Sequence, residues 1–241
     1  PIATAEAMTA RAFSVGSSRF HRAREVSKRA AHLANLGQVV PGSITASVRL
    51  YPSPVASMTS GMEGMLRYPS GCFEQASSTN YPNVMIMSYL KEHRIDDAAL
   101  LTKSARLLAA GYRRLTGYES PKRGYEWFGG DPGHEALTAY GLLEFVDMKR
   151  VYGSVSKPMI RRTARWLMDR RDGKGGFLRN RKALDSFGRA SKQVTDAYIT
   201  WSLTEAGQTG IAREVRQQAR LAKTTRDGYL LALAANTLLN S

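Results

Sequence analysis

The sequence contains one cysteine, Cys72, and a glutamine three positions after it, Gln75. Side chains three positions apart can share one face of a helical turn, and Gly71 permits a sharp bend of the backbone just before it. If the sulfur of Cys72 attacks the carboxamide carbon of Gln75 and ammonia leaves, the product is an internal thioester, which readily acylates amines and hydroxyls. A lone cysteine is also commonly a small, inert, buried side chain. The spacing alone leaves both interpretations open.

A thioester lasts in water only where apolar groups exclude solvent until the moment of reaction. The sequence offers several aromatic residues that could form such walls. The candidates are Tyr68, Phe73, Tyr81, Trp127 and Phe128.

His134 follows a turn sequence rich in glycine at 129–133 and precedes an apolar helical segment. We expect that helix to start at the same rim as Cys72, where a neutral imidazole could act as a general base for an incoming nucleophile. The alternative, which is the more common role, is a histidine hydrogen-bonded to backbone at a helix start. Glu135 beside it suits the positive end of the helix dipole.

The charge and composition bound the partners of the chain. No apolar run in its 241 residues approaches the ~20 that a transmembrane helix needs. The net charge of +15 would suit an anionic partner such as nucleic acid, and the densest basic stretch runs from Arg161 to Lys182. We interpret that stretch as a solvated helix face and loop, and expect no specific nucleic-acid partner.

The residue types that bind metals are scarce. One cysteine cannot form an intrachain disulfide, and with four histidines it gives no recognisable zinc-ligand spacing. We therefore expect neither a metal nor a cofactor. The chain begins at Pro1 without an initiator methionine or a signal-peptide pattern, which indicates a segment excised from a longer protein.

Periodicity separates a short β segment from a helical body. Apolar residues alternate through 43–51, which predicts a strand closed by Pro52 and Pro54. Beyond Met58 the pattern is helical, and the predicted helices are 81–93, 97–115, 134–151, 157–170, 194–206, 211–222 and 229–239. We place the domain boundary between residues 52 and 53, with a linker and first strand at 1–52 and a helical domain at 53–241.

Two types of helix alternate along the helical body. The segments 97–115 and 157–170 have a polar face, whereas 136–143 and 229–235 are apolar nearly all round, as buried helices are. This pattern predicts an all-α domain with an inner and an outer layer. Helical hairpins stacked edge to edge would form an α/α toroid.

The segment Gly71-Cys72-Phe73-Glu74-Gln75 resembles the Gly-Cys-Gly-Glu-Gln motif of the alpha-2-macroglobulin and complement thioester family. Phe73 stands where the motif usually has a glycine, and bacterial members in particular resemble the string 71–83. The resemblance continues at 66–70, 136–140 and 172–177, and spans roughly residues 40–239.

This resemblance implies an α/α toroid that lies against a CUB-like β-sandwich, with neither metal nor cofactor. The strand at 43–51 would be the first part of that sandwich. The family toroid has more helices than we predict, so an incomplete ring is expected. The neighbouring macroglobulin and CUB-like domains of the parent protein become expected partners, in an extracellular or periplasmic location.

The family resemblance also implies a single-use thioester between Cys72 and Gln75 that captures a target covalently, rather than an enzyme. In complement relatives, a histidine in the loop that matches 178–188 directs transfer to hydroxyls. This loop has no histidine, and Asp185 is the nearest counterpart. Direct attack by amines of target proteases or cell surfaces is therefore expected.

Three other functions remain open at this point. The first is a complement-like opsonising tag for surfaces. The second is an enzyme on the same architecture, such as a terpenoid cyclase, although the only adjacent aspartates are Asp96 and Asp97. The third is a plain interaction module with an inert cysteine.

Overall fold

The computed structural model describes residues 54–180 and 190–241, with side chains from residue 57 onward. Eight α-helices lie within these ranges. They are α1 (Pro54–Met65), α2 (Phe73–Glu92), α3 (Ala98–Thr116), α4 (Glu135–Val151), α5 (Lys157–Asp169), α6 (Lys192–Glu205), α7 (Ala212–Thr224) and α8 (Gly228–Leu239). The predicted strand at 43–51, the CUB-like segment at 1–52 and Asp185 lie outside the described residues.

The helices form two layers. Helices α2, α4, α6 and α8 pack against one another in that order and form the inner layer, while α3 packs on α2, α5 on α4, and α7 on α8. The inner helix α4 buries side chains around most of its circumference, whereas the outer helix α7 keeps one broad polar face. The predicted all-α fold with alternating helix types is confirmed.

Polar side chains fix where most of the helices begin. Asp97 accepts a hydrogen bond from the Leu100 N–H at 2.9 Å, and Asp227 accepts one from the Tyr229 N–H at 2.8 Å. Such caps satisfy N–H groups that have no partner inside the helix. Because each outer helix returns the chain, the inner helices run parallel and start at one rim of the domain.

The second helix differs from the prediction. Helix α2 begins at Phe73, not at residue 81, and continues through Pro82. Proline removes one backbone donor and normally disfavours a helix interior. Here the residues on either side are held by inner-layer packing, since Asn80, Asn83 and Val84 are buried. Tertiary contacts thus outweigh the local cost of the proline.

None of the described helices is long and apolar enough to cross a lipid bilayer.

Candidate thioester site

Cys72 and Gln75 face each other at the first turn of α2. Cys72 is the N-cap residue, Gln75 is the third helical residue, and together they form a capping box. The Cys72 N–H donates to Gln75 Oε1 at 3.2 Å. This contact folds the carboxamide back over the start of the helix, where the thiol is attached. The same N–H can stabilise negative charge that develops on that oxygen.

Gly71 is required by the position of the Gln75 side chain. Its φ is +81°, in the left-handed region, and a Cβ at this residue would lie 2.2 Å from Gln75 Oε1. The Gly71 carbonyl accepts hydrogen bonds from Arg114 Nη2 at 2.7 Å and from the Tyr118 hydroxyl at 2.5 Å. The C-terminal end of α3 therefore fixes the peptide that precedes Cys72.

Phe73 is a core residue. Its side chain is fully buried, its ring stacks on Tyr125 at a centroid distance of 5.0 Å, and its N–H donates to the Trp127 carbonyl at 2.9 Å. Gly141 on α4 leaves the space for the ring, because a Cβ there would lie 2.7 Å from Phe73 Cζ. The aromatic side chain in the motif anchors α2 without entering the space beside the carboxamide.

The expected aromatic walls do not enclose the pair within the described part of the chain. Tyr68 is 67% exposed and Phe128 is 70% exposed. Phe73 and Trp127 are buried, but Gln75 itself is exposed and Cys72 is only partly buried. Any exclusion of water from Gln75 must therefore come from a surface outside the described residues.

Glu74, Trp127 and His134 form a connected group next to the pair. Trp127 Nε1 donates to Glu74 Oε2 at 3.0 Å, and the Trp127 and His134 rings meet edge to face at 4.8 Å. Since Phe73 also bonds to the Trp127 carbonyl, the 125–128 segment joins the first turns of α2 and α4. The expectation that His134 and Cys72 lie at the same rim is thereby confirmed.

His134 caps α4. Its ring Nδ1 accepts a hydrogen bond from the Leu137 N–H at 3.3 Å. The backbone N–H of His134 donates to the Tyr125 carbonyl at 2.7 Å. A neutral imidazole that accepts at Nδ1 carries its proton on Nε2. The histidine thus has the helix-start contact that the alternative interpretation expected, and a role as general base stays a prediction.

A groove of about 450 Å³ opens between the first turns of α2, α4 and α6. Glu74, Trp127 and His134 line one side, and Tyr140 and Tyr198 line another. The groove lining includes aromatic rings and two carboxylates, Glu74 and Glu135, and Glu74 is the residue directly before Gln75.

Glu135 has a role that the sequence did not reveal. It is 3% exposed, and its Oε1 accepts from Arg170 Nη2 at 2.8 Å and from the Asn180 N–H at 2.9 Å. The carboxylate therefore ties α4 to the end of α5, in addition to its place in the first helical turn. No sequence spacing links residue 135 to residue 170.

A buried polar contact joins α2 to α4 below the thioester turn. Asn80 Nδ2 donates to Glu144 Oε1 at 2.8 Å, and both side chains are fully buried. Burial raises the pKa of Glu144 to about 8, an effect that the bond from Asn80 partly offsets. A carboxyl side chain directly after the apolar stretch 136–143 was the sequence signal that could have revealed this contact.

Among the described residues, no group of three or more His, Cys, Asp or Glu side chains is arranged to hold a metal ion.

Comparison with known proteins identifies the family. The family model described as the A-macroglobulin TED domain matches residues 44–238. Alpha-2-macroglobulin-like protein 1 of Mus musculus is 27% identical over 176 residues, which cover 70% of this chain and 12% of that protein. Thioester-containing protein 1 of Anopheles gambiae, allele S3, is 22% identical over 136 residues, covering 56% of this chain and 10% of that protein. The chain thus spans only about a tenth of the length of these relatives. Since the family match covers most of its residues, the chain belongs to the A-macroglobulin TED domain family.

Proposed function

We propose that this chain is a thioester domain whose Cys72 and Gln75 form an internal thioester that is later transferred to a target. The observation that carries the proposal is the bond from the Cys72 N–H to Gln75 Oε1 at 3.2 Å. It holds the carboxamide at the start of α2, beside the only thiol in the sequence.

Formation of the thioester uses no other reactant. The Cys72 sulfur attacks Cδ of Gln75, and the N–H of Cys72 stabilises charge on Oε1. The C–N bond then breaks, and the amide nitrogen leaves as ammonia after taking the thiol proton. In the later transfer, a target amine attacks Cδ, the C–S bond breaks, and the sulfur regains a proton. The products are an amide and a free thiol, so each domain reacts once and is not an enzyme.

Protection of the thioester falls to a neighbouring domain of the parent protein. Gln75 is exposed in the described residues, and an exposed thioester would hydrolyse. We propose that a macroglobulin or CUB-like domain covers the first turn of α2 until activation displaces it. In this proposal the parent protein is a covalent trap for proteases that act outside the cytoplasm, and its location is extracellular or periplasmic.

The proposed acceptor is an amine. The loop at 178–188 contains no histidine, and Nδ1 of His134 is occupied by the Leu137 N–H. A neutral amine needs no base to attack, whereas a hydroxyl does. Lysine side chains of proteases or of surfaces are therefore the proposed targets, and the same reaction would serve an opsonising tag.

The test is an intact-mass measurement on native parent protein that has never been heated. We expect a mass lower than the sequence mass by one ammonia. Methylamine should add the mass of one methylamine to this form and release one thiol at the same time. Cys72→Ser is the control, and it should show neither effect. An unmodified mass with an unreactive thiol in the native protein would instead support an inert cysteine in an interaction module.

The proposed location is tested by fractionating the source cells. A parent protein confined to the cytosol would contradict a trap for external proteases.

A further inference from the structure

The two layers of helices differ in charge. The outer helix α3 has four basic residues and no acidic one, and the outer helices α5 and α7 each have four basic residues and one acidic residue. The inner helices α2, α4 and α6 each have one more acidic residue than basic, and α8 has no charged residue. Much of the positive charge of the described helices therefore lies on the outer layer.

A rigid turn at 172–176 lies against one of these outer helices. Asp172 Oδ1 accepts from the N–H groups of Lys174 at 2.7 Å and Gly176 at 3.0 Å, which closes the turn. The Gly173 carbonyl accepts a hydrogen bond from Arg213 on α7. At Gly175, where φ is +98°, a Cβ would lie 3.2 Å from Gln217 Cβ. The glycines therefore let the turn approach α7 closely.

This approach creates a pocket of about 310 Å³, which we name the basic pocket. It is lined by Gly173, Lys174, Arg213, Arg216, Gln217 and Arg220. Four of its six residues are cationic. The one acidic residue of α7, Glu214, is only 2% exposed and does not line it.

The cations of the basic pocket form no ion pair within the described part of the chain. No ion pair there involves Lys174, Arg216 or Arg220. By contrast, Arg162 on the neighbouring outer helix pairs with Glu119 at 2.6 Å. Unpaired like charges around a concavity repel one another, and an anion in the pocket would relieve that repulsion.

We infer that the basic pocket binds a ligand with two neighbouring phosphate groups. Guanidinium groups match phosphate oxygens with paired N–H donors, and lysine adds a point charge. Four cations exceed what one phosphate needs, and the volume exceeds that of one phosphate. The lining residues include no aromatic ring on which a base could stack, as single-stranded nucleic acid would require. The rest of the basic outer wall raises the rate of encounter.

Titration calorimetry with inorganic pyrophosphate tests the inference on the whole chain. The double variant Arg216→Gln, Arg220→Gln should bind roughly tenfold or more weakly, because two charge-assisted contacts are lost. Arg161→Gln, Arg165→Gln on α5 is the matched control, since both residues are exposed and the change in charge is the same. That control should weaken binding by no more than about twofold.

The outcomes separate a pocket from a general field. An equal loss in both double variants would overturn the inference, and so would the absence of measurable binding by the wild type. The unfolding midpoints of the wild type and of both double variants should agree. Lys174→Gln is a second test variant that leaves α7 unchanged, and it should also weaken pyrophosphate binding. Sedimentation with phosphatidylcholine vesicles, with and without a lipid that carries a diphosphate headgroup, identifies the source. Pyrophosphate-competed binding to the second kind assigns a lipid headgroup, and binding of pyrophosphate alone assigns a soluble ligand.

Discussion

The ring of Phe73 occupies the space that a side chain at Gly141 would need, since a Cβ on Gly141 would lie 2.7 Å from Phe73 Cζ. The two residues belong to neighbouring inner helices, α2 and α4. A large side chain inside the motif on α2 is thus matched by a missing side chain on α4. This match lets Cys72 stay at the helix start although an aromatic residue follows it.

Gly141→Ala should therefore destabilise the domain although alanine is the better helix former. Overpacking a well-filled core costs about 1–3 kcal/mol, which exceeds the gain of up to ~1 kcal/mol from replacing a helical glycine. The measurement is the free energy of unfolding in urea.

Gly64→Ala on α1 is the matched control, because a Cβ there meets nothing within 4 Å. It should leave stability unchanged or slightly raised. Phe73→Leu in the Gly141→Ala background should recover part of the loss. If the two changes simply add, the ring and the glycine do not share this space.

Gly71→Ala should prevent most of the thioester from forming. The substitution forces a left-handed residue to carry a side chain, which costs ~1–2 kcal/mol, and its Cβ would lie 2.2 Å from Gln75 Oε1. We expect the rate of formation to fall roughly tenfold or more, measured as the fraction of parent protein that lacks one ammonia.

Gly207→Ala is the control that introduces backbone strain without a steric clash. Gly207 also has a positive φ, +67°, but nothing lies within 4 Å of its Cβ position. This control should lower stability modestly and leave the thioester fraction unchanged. An equal loss of thioester in both variants would show that general destabilisation, rather than the carboxamide contact, is responsible.

Much of the fold followed from periodicity and turn residues, because these are local properties. Asp97 and His134 stand where the predicted helices begin, and both act as N-caps. The start of α2 was predicted wrongly, at residue 81: proline is normally tolerated in the first turn of a helix, but inner-layer packing here holds Pro82 in the helix interior. Helix α1 was not predicted, because Pro54, its first residue, was interpreted as the end of a strand.

The candidate site was predicted in part. Cys72 and Gln75 were identified from a motif within one turn, and in the structure the Cys72 backbone N–H donates to Gln75 Oε1. The link from Trp127 to Glu74, and that from Arg170 to Glu135, join residues far apart in sequence. Such pairs depend on how helices pack, which no local pattern encodes. For the same reason the sequence suggested Phe128 as a wall, although it is exposed.

Stability should fall as the pH rises through the neutral range, because of Glu144. Burial raises its pKa from an ordinary 4.5 to about 8. A carboxyl group whose pKa is higher in the folded state stabilises the fold fully at pH values below its unfolded-state pKa. That contribution is lost as the pH rises from about 4.5 to about 8. Urea unfolding at pH 5 and pH 8 measures the change.

Glu144→Gln is the comparison that isolates this effect. Glutamine keeps a carbonyl oxygen for the bond from Asn80 and cannot ionise. Between pH 5 and pH 8, wild type should lose roughly 1–4 kcal/mol relative to the variant. Other titrating groups contribute equally to both proteins and cancel. Parallel pH profiles would show that Glu144 does not titrate in this range.

Transfer from the thioester should favour amines over hydroxyls. The loop at 178–188 supplies no histidine to form an acyl-imidazole intermediate, so glycerol should react slowly while glycine methyl ester reacts well. Asp185→His should raise glycerol uptake and hasten hydrolysis, if residue 185 takes the place of the complement histidine. Labelled glycine methyl ester and glycerol, offered separately to the activated parent protein, measure both rates.

His134 is the residue that could reverse this preference. Its ring lies against Trp127, which is hydrogen-bonded to Glu74, the residue before Gln75. If Nδ1 released the Leu137 N–H, the imidazole could remove a proton from a hydroxyl. The capping contact argues against this role, because helix α4 would lose its N-cap, at a cost of about 1 kcal/mol.

His134→Asn keeps a capping side chain without a base, whereas His134→Ala removes both. Glycine methyl ester should react equally in all three proteins. Efficient glycerol uptake in wild type that disappears in both variants would establish His134 as the base and overturn the amine preference.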